Sequence, residues 1–148
     1  MDRKDFIKSC GFACLGGAAI TTLLQSCSAA KIIGGKIAGD DLIVPLTDFE
    51  TKAGNEKHYK KYVVVQNDIL QYPICVYRIN ENEYTALWMQ CTHQGAELQV
   101  FGDKLQCPAH GSEFTNSGTV QGGPADRKLR TFPVTIEANK LKISLKAI

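Results

Sequence analysis

The chain has 148 residues, a formal net charge of +2 and 6 cysteines. That length suits one domain plus a short processing segment. A charge so close to balance offers no nucleic-acid footprint, which needs a clustered basic face, and the apolar fraction is ordinary for a globular protein.

Residues 1–27 read as an export signal. Arg3-Lys4-Asp5-Phe6-Ile7-Lys8 gives a basic start, Cys10 to Leu24 is apolar or small throughout, and Leu24-Gln25-Ser26-Cys27 closes the run. A basic segment, a short apolar segment and a small residue before the cut describe such a signal. The apolar part is shorter than the roughly 20 residues of a spanning helix. Arg3-Lys4-x-Phe6-Ile7-Lys8 resembles the twin-arginine export pattern, with Lys4 in place of the second arginine. Leu24-Gln25-Ser26-Cys27 resembles a bacterial lipoprotein box, with Gln25 where a small residue is usual. By that resemblance Cys27 becomes the acylated first residue of the mature chain. Each buried acyl CH₂ contributes about 0.8 kcal/mol, so several chains on one cysteine hold a protein firmly to a membrane. An uncut transmembrane anchor is the alternative. The expected location is the periplasmic side of a bacterial membrane. Residues 28–39, small and Gly-rich, read as a flexible tether.

Residues 40–148 read as an all-β domain. Leu42-Ile43-Val44 opens a short strand closed by Pro45, and Phe49 to Lys61 is polar and turn-like. His58 lies in that stretch as a solvent-facing histidine without a role. Tyr62 to Gln66 is β-branched and reads as a strand. Pro73 to Ile79 is another, holding Cys75 as a buried, inert thiol. Asn80-Glu81-Asn82-Glu83 turns the chain into Tyr84 to Met89, making a hairpin. Leu129 to Glu137 and Leu141 to Leu145 form a last hairpin through Ala138-Asn139. Any helix is short, because few positions show helical periodicity.

Between these strands, at about residues 90–125, lies the chemistry. Cys91-Thr92-His93-Gln94-Gly95-Ala96 and Cys107-Pro108-Ala109-His110-Gly111 each offer one thiolate and one imidazole. The spacings, i, i+2 and i, i+3, suit two tight loop tips that face each other, with Gly95, Pro108 and Gly111 supplying the turns. Glu97 to Phe101 and Lys104 to Gln106 alternate around Gly102-Asp103, a hairpin that carries both loops on its outer ends. The 13 residues between His93 and Cys107 close that loop at little entropic cost. Two sulfur and two nitrogen donors can hold a single zinc, or a two-iron, two-sulfur cluster with both cysteines on one iron and both histidines on the other.

The wording around the donors resembles the Rieske iron–sulfur family, whose boxes read C-x-H-x-G and C-P-x-H-G-S. Cys91/His93/Gly95 and Cys107/Pro108/His110/Gly111/Ser112 match them, and Gly122-Gly123-Pro124-Ala125 matches the family's third loop. The resemblance implies one [2Fe-2S] cluster per chain, with Cys91, His93, Cys107 and His110 as ligands. It implies that Ser112 tunes the cluster, and that the loop of Gly123 and Pro124 covers it beside the other two. With 37 residues after Gly111, no second mononuclear-iron domain of the ring-hydroxylating kind is expected. The electron that enters on reduction goes to the histidine-bound iron, as the resemblance implies. Neutral nitrogen ligands place the potential at roughly −150 to +300 mV.

Two departures point toward the low-to-middle part of that range. Quinol-oxidising relatives join their loops by a disulfide where this chain has Ala96 and Ala109, and carry a tyrosine hydroxyl where Phe114 stands. The resemblance further implies that the imidazoles reach solvent, couple proton to electron transfer and form a docking point, shaped by Gln94 and Pro108. The expected activity is one-electron transfer with a redox partner protein, a cytochrome or other carrier, or with a quinol. The alternatives are the iron–sulfur subunit of a quinol-oxidising cytochrome bc-type complex, a ferredoxin-like oxygenase donor and a zinc-holding structural module.

Overall fold

The computed structural model describes residues 30–146, apart from the side chain of Ala53. The organising element is a five-stranded sheet in the order β1-β6-β7-β8-β13: β1 (Ile32–Gly34), β6 (Tyr62–Gln66), β7 (Ile74–Arg78), β8 (Tyr84–Trp88) and β13 (Thr131–Phe132). Alternate side chains of a strand point to opposite faces, and here both faces are buried. Val63, Val65, Ile74, Val76 and Ala86 enter one core. Val64, Cys75, Tyr77 and Leu87 enter a second. Burial on both sides explains why β6 and β7 read as unbroken apolar runs instead of alternating ones.

The first core is closed by a four-stranded sheet in the order β14-β15-β3-β2: β2 (Lys36–Ala38), β3 (Asp41–Pro45), β14 (Val134–Glu137) and β15 (Lys140–Ser144). It contributes Leu42, Val44, Leu141 and Ile143, and a 3-10 turn over Leu46–Phe49 adds Phe49. The second core is closed by the sheet β12-β11-β10-β9: β9 (Gln99–Phe101), β10 (Lys104–Gln106), β11 (Glu113–Thr115) and β12 (Val120–Gly122). Cys91, Leu98, Leu105, Cys107 and Phe114 belong to this core. Cys75 is fully buried within it, and burial pushes its thiol far above the usual range. It is therefore held as an unreactive thiol, as the sequence suggests.

The all-β expectation holds, with four corrections. First, residues 32–38 of the segment expected as a tether are part of the fold. Its β1 pairs in parallel with β6, and its β2 pairs with β3. Ile33 is 9% exposed and packs in the first core. Gly35 between them marks close packing: a Cβ there would come within 2.5 Å of Val65 Cγ1 and 2.6 Å of Leu42 Cδ1. Second, the polar stretch after Phe49 is a hairpin, β4 (Glu50–Ala53) with β5 (Glu56–Tyr59). Its polarity reflects the exposure of β5 along its whole length, His58 included. Third, Val120–Gly122 is a strand, β12, placed by pairing with β11. Fourth, Leu129 to Glu137 divides at Pro133. Residues before it pair with β8 and those after it with β15, because proline has no N–H for a ladder. The expected turn at Ala138-Asn139 is present, with φ of 48° and 61°, the left-handed pair that a two-residue hairpin requires. The export signal and Cys27 lie outside the described residues, among which no helix is long and apolar enough to cross a membrane.

Ile33→Ala distinguishes a core strand from a tether. Deleting a buried isoleucine side chain costs about 2–4 kcal/mol, to be read as a lower urea midpoint for the full chain. An unchanged midpoint would mean that residues 32–34 contribute nothing to the core.

Candidate metal centre

The two boxes fold as near copies of one turn. In the first, the Cys91 N–H donates to Ala96 O at 2.8 Å and the Gly95 N–H to Cys91 O at 2.9 Å. In the second, the Cys107 N–H donates to Ser112 O at 2.8 Å and the Gly111 N–H to Cys107 O at 3.0 Å. Each cysteine therefore closes a loop through the glycine four residues later. Gly95 and Gly111 both have φ of 78°, a conformation glycine adopts without steric cost. The β9–β10 hairpin, turned at Gly102-Asp103, sets the loops side by side, with Gln99 opposite Gln106.

This arrangement sorts the donors by element. Cys91 and Cys107, 2% and 1% exposed, are rooted in the second core as free thiols. His93 is half-buried and His110 exposed, with their rings edge to face and centroids 4.9 Å apart. Burial opposes ionisation of Cys107, but the backbone N–H groups of His110 and Ala109 and the neighbouring Cys91 thiol outweigh it. The Cys107 thiol is thus held below its usual range, ready to serve as a thiolate.

The residues fit a two-metal cluster. His93 Nδ1 is buried with no hydrogen-bond partner, whereas buried polar atoms in folded proteins are nearly always satisfied. A bound metal would satisfy it. The donors stand as two thiols in one core and a pair of imidazoles, the division that one sulfur-ligated and one nitrogen-ligated iron require.

The third loop binds both boxes. Gly123, at φ of 85°, lies so close to the second box that a Cβ would meet Ser112 Cα at 2.5 Å and Gly111 O at 2.6 Å. Ser112 is fully buried, and its Oγ accepts the Ala125 N–H at 3.1 Å. Pro124 is exposed beside them. On the other side, the Thr92 hydroxyl donates to Arg127 O at 2.6 Å, and the Arg127 guanidinium returns a bond to Thr92 O at 3.2 Å. The Tyr72 hydroxyl also anchors the first box, donating to Gly95 O at 2.7 Å. Tyr72, Thr92 and Arg127 carry no sequence signal, since their partners are backbone atoms 23 and 35 residues away. Of the remaining positions, Ala96 is half-buried and Ala109, Gln94 and Pro108 are exposed. Phe114 is fully buried in the core that holds both cysteines.

Gly123→Ala forces a left-handed alanine, costing about 1–2 kcal/mol, against backbone that cannot yield. The variant should lose about 2–4 kcal/mol in all, measured by denaturant unfolding. Gly122→Ala is the control, because a Cβ there meets nothing within 4 Å.

Comparison with known proteins agrees with this site. Residues 50–133 match the family model of the Rieske [2Fe-2S] domain. A cytochrome b6-f complex iron-sulfur subunit from Cyanothece sp. is 26% identical over 159 residues, covering 95% of this chain and 83% of that protein. One from Chlorobaculum tepidum is 33% identical over 63 residues, covering 41% of this chain and 35% of that protein. The matched stretch thus spans only about a third of that relative. Among solved structures, the cyanobacterial plasma membrane Rieske protein PetC3 from Synechocystis aligns with a TM-score of 0.50 at 28% identity. That alignment covers 57% of this chain and 86% of PetC3. The ferredoxin of carbazole 1,9a-dioxygenase from Nocardioides aromaticivorans, at 20% identity and a TM-score of 0.50, covers 70% of this chain and 95% of its own and shares the fold. The family match, the all-β lobe and the paired donors lead to one conclusion: the chain belongs to the Rieske [2Fe-2S] domain family, with a two-iron, two-sulfur cluster as its electron-transfer cofactor.

Proposed function

We propose that this chain is a single-electron carrier tethered to the periplasmic side of a bacterial membrane, exchanging electrons with a partner protein. Cys91 and Cys107 ligate one iron and His93 and His110 the other. The observation that carries this assignment is the sorting of donors: two buried thiols rooted in one core, and two imidazoles in contact, one with an orphaned ring nitrogen. When bound, the cluster supplies one-electron chemistry at roughly −150 to +300 mV.

The chain's own residues govern the rest. The amides of Ala109 and His110 direct partial positive charge at the Cys107 sulfur, which favours the more negative, reduced state. Ser112 adds to this. Its Oγ accepts from Ala125, which leaves the hydroxyl proton free to donate toward the cluster. Phe114 has no such proton. His110, exposed at the loop tip, provides the short path to solvent by which a partner exchanges the electron. The second core excludes water from the sulfur side.

The basic start, the short apolar run and Cys27 in a lipoprotein-like box support the tether, and the relative from Synechocystis is described as a plasma membrane protein. A second reading, the iron–sulfur subunit of a quinol-oxidising complex, draws on the Cyanothece relative, which matches 95% of this chain. Ala96, Ala109 and Phe114 weigh against it, because the loop disulfide and the tyrosine donor have no counterpart here.

Protein isolated with its metals retained should be red-brown, contain iron and inorganic sulfide in equal amounts and give an EPR signal when reduced. A colourless zinc protein would end this reading. Ser112→Ala should lower the potential by roughly 60 mV, the one-electron equivalent of a charge-assisted hydrogen bond of about 1.5 kcal/mol. An unchanged potential in redox titration would leave Ser112 only as the acceptor for Ala125.

A further inference from the structure

A cleft of about 690 Å³ opens beside the first box, bounded by Trp88, Gln90 and His93 on one side and by Arg127, Lys128 and Arg130 on the other. Among the described residues no carboxylate lines it. Beside it, Asp126 lies 3.7 Å from the Arg127 guanidinium, both side chains being largely exposed. Pairs of that kind interact weakly in water. Residues 30–146 as a whole carry almost balanced charge, 14 Lys and Arg, these three included, against 13 Asp and Glu. The cleft is thus a local cationic field on a nearly neutral domain, and it adjoins a candidate cluster ligand.

The cations are held apart. Arg127 is bonded to Thr92 O, and the Arg130 guanidinium lies over the Phe132 ring at 4.7 Å. Lys128 is exposed between them. Three charges spread along one loop match several carboxylates on a protein surface better than they match one small anion. The rim of the cleft is one imidazole contact from the exposed His110, since the His93 and His110 rings touch.

We infer that this cleft is the docking surface for an acidic electron-carrier protein, whose carboxylates engage Arg127, Lys128 and Arg130 and so bring its redox group to the two imidazoles. The inference rests on the electron-transfer reading above and adds the chemistry of the partner. Complementary charge of this kind raises encounter rates by about 10–1000-fold and is suppressed by salt.

The test uses the full chain with its cluster, reduced by dithionite and mixed in stopped flow with anionic ferricyanide or cationic tris(phenanthroline)cobalt(III). One electron leaves the cluster in each case, giving ferrocyanide or cobalt(II). The ferricyanide rate should fall several-fold as salt rises while the cobalt rate does not, and Lys128→Glu with Arg130→Glu should reverse that order. An acidic c-type cytochrome should outpace a basic one of similar potential by about tenfold at low salt, and the double variant should abolish the preference. Lys128→Gln with Arg130→Gln should give intermediate rates, which keeps the test valid where the glutamate variant fails to hold its cluster.

Rates within twofold of wild type in the variants would overturn the inference. So would anion steering without a preference for the acidic cytochrome, which would assign the cleft to a small anionic carrier. A wild-type protein with no reducible cluster would remove the electron-transfer reading itself. A reducible cluster with a flat charge response would remove only the docking surface.

Discussion

Burial of the five-stranded sheet on both faces is the constraint on which the other features depend. Each strand sends alternate side chains in opposite directions, so β6 gives Val63 and Val65 to one core and Val64 to the other. A register shift of one residue would exchange the two sets. It would also misplace Cys91, because β8 ends at Trp88 and the first metal loop follows directly. The position of the thiols is therefore set by the pairing of β7 with β8, where Cys75 faces Leu87 and Ile74 faces Trp88. At roughly 25 cal/mol per Å² of apolar surface, the core that fixes this register also fixes the floor of the site.

Above that floor, the lobe solves a different problem. The two Cys-His loops need a common brace to stay side by side, and in this chain Ala96 and Ala109 supply no disulfide. The third loop acts as the brace through non-covalent contacts, with Gly123 and Ala125 against the second box and Arg127 against the first. Hydrogen bonds and close packing each contribute modestly, but they act on both loops from one segment. Arg127 then has two consequences, since the guanidinium that returns a bond to Thr92 also contributes charge to the cleft.

The electrostatics of the lobe run along its height. Burial at the base disfavours charge, and the amides of the second box offset that cost at Cys107. The imidazoles stand at the top, near solvent, and the cationic loop stands beside them. The sulfur side is thus insulated from water, while the cleft beside the imidazoles is lined by Arg127, Lys128 and Arg130.

The two tight Cys-His turns and the hairpin between them were legible in the sequence, because each is a local pattern: fixed spacing, turn glycines and alternation around Gly102-Asp103. The strands β3, β6, β7 and β8 were legible for the same reason. The third loop was legible as a motif, but not in its action. Residues 32–38 read as a tether because glycine and small residues look flexible in isolation, and only Val65 and Leu42 turn Gly35 into a close contact. Val120–Gly122 and the division at Pro133 likewise needed distant strands to pair with. Tyr72, Thr92 and Arg127 act on backbone groups remote in sequence, so no pattern of residue types announces them. Local chemistry along the chain therefore determined what is bound, and tertiary packing decided how the loops are braced and which face they present, because bracing and exposure are properties of neighbours that a linear order does not contain.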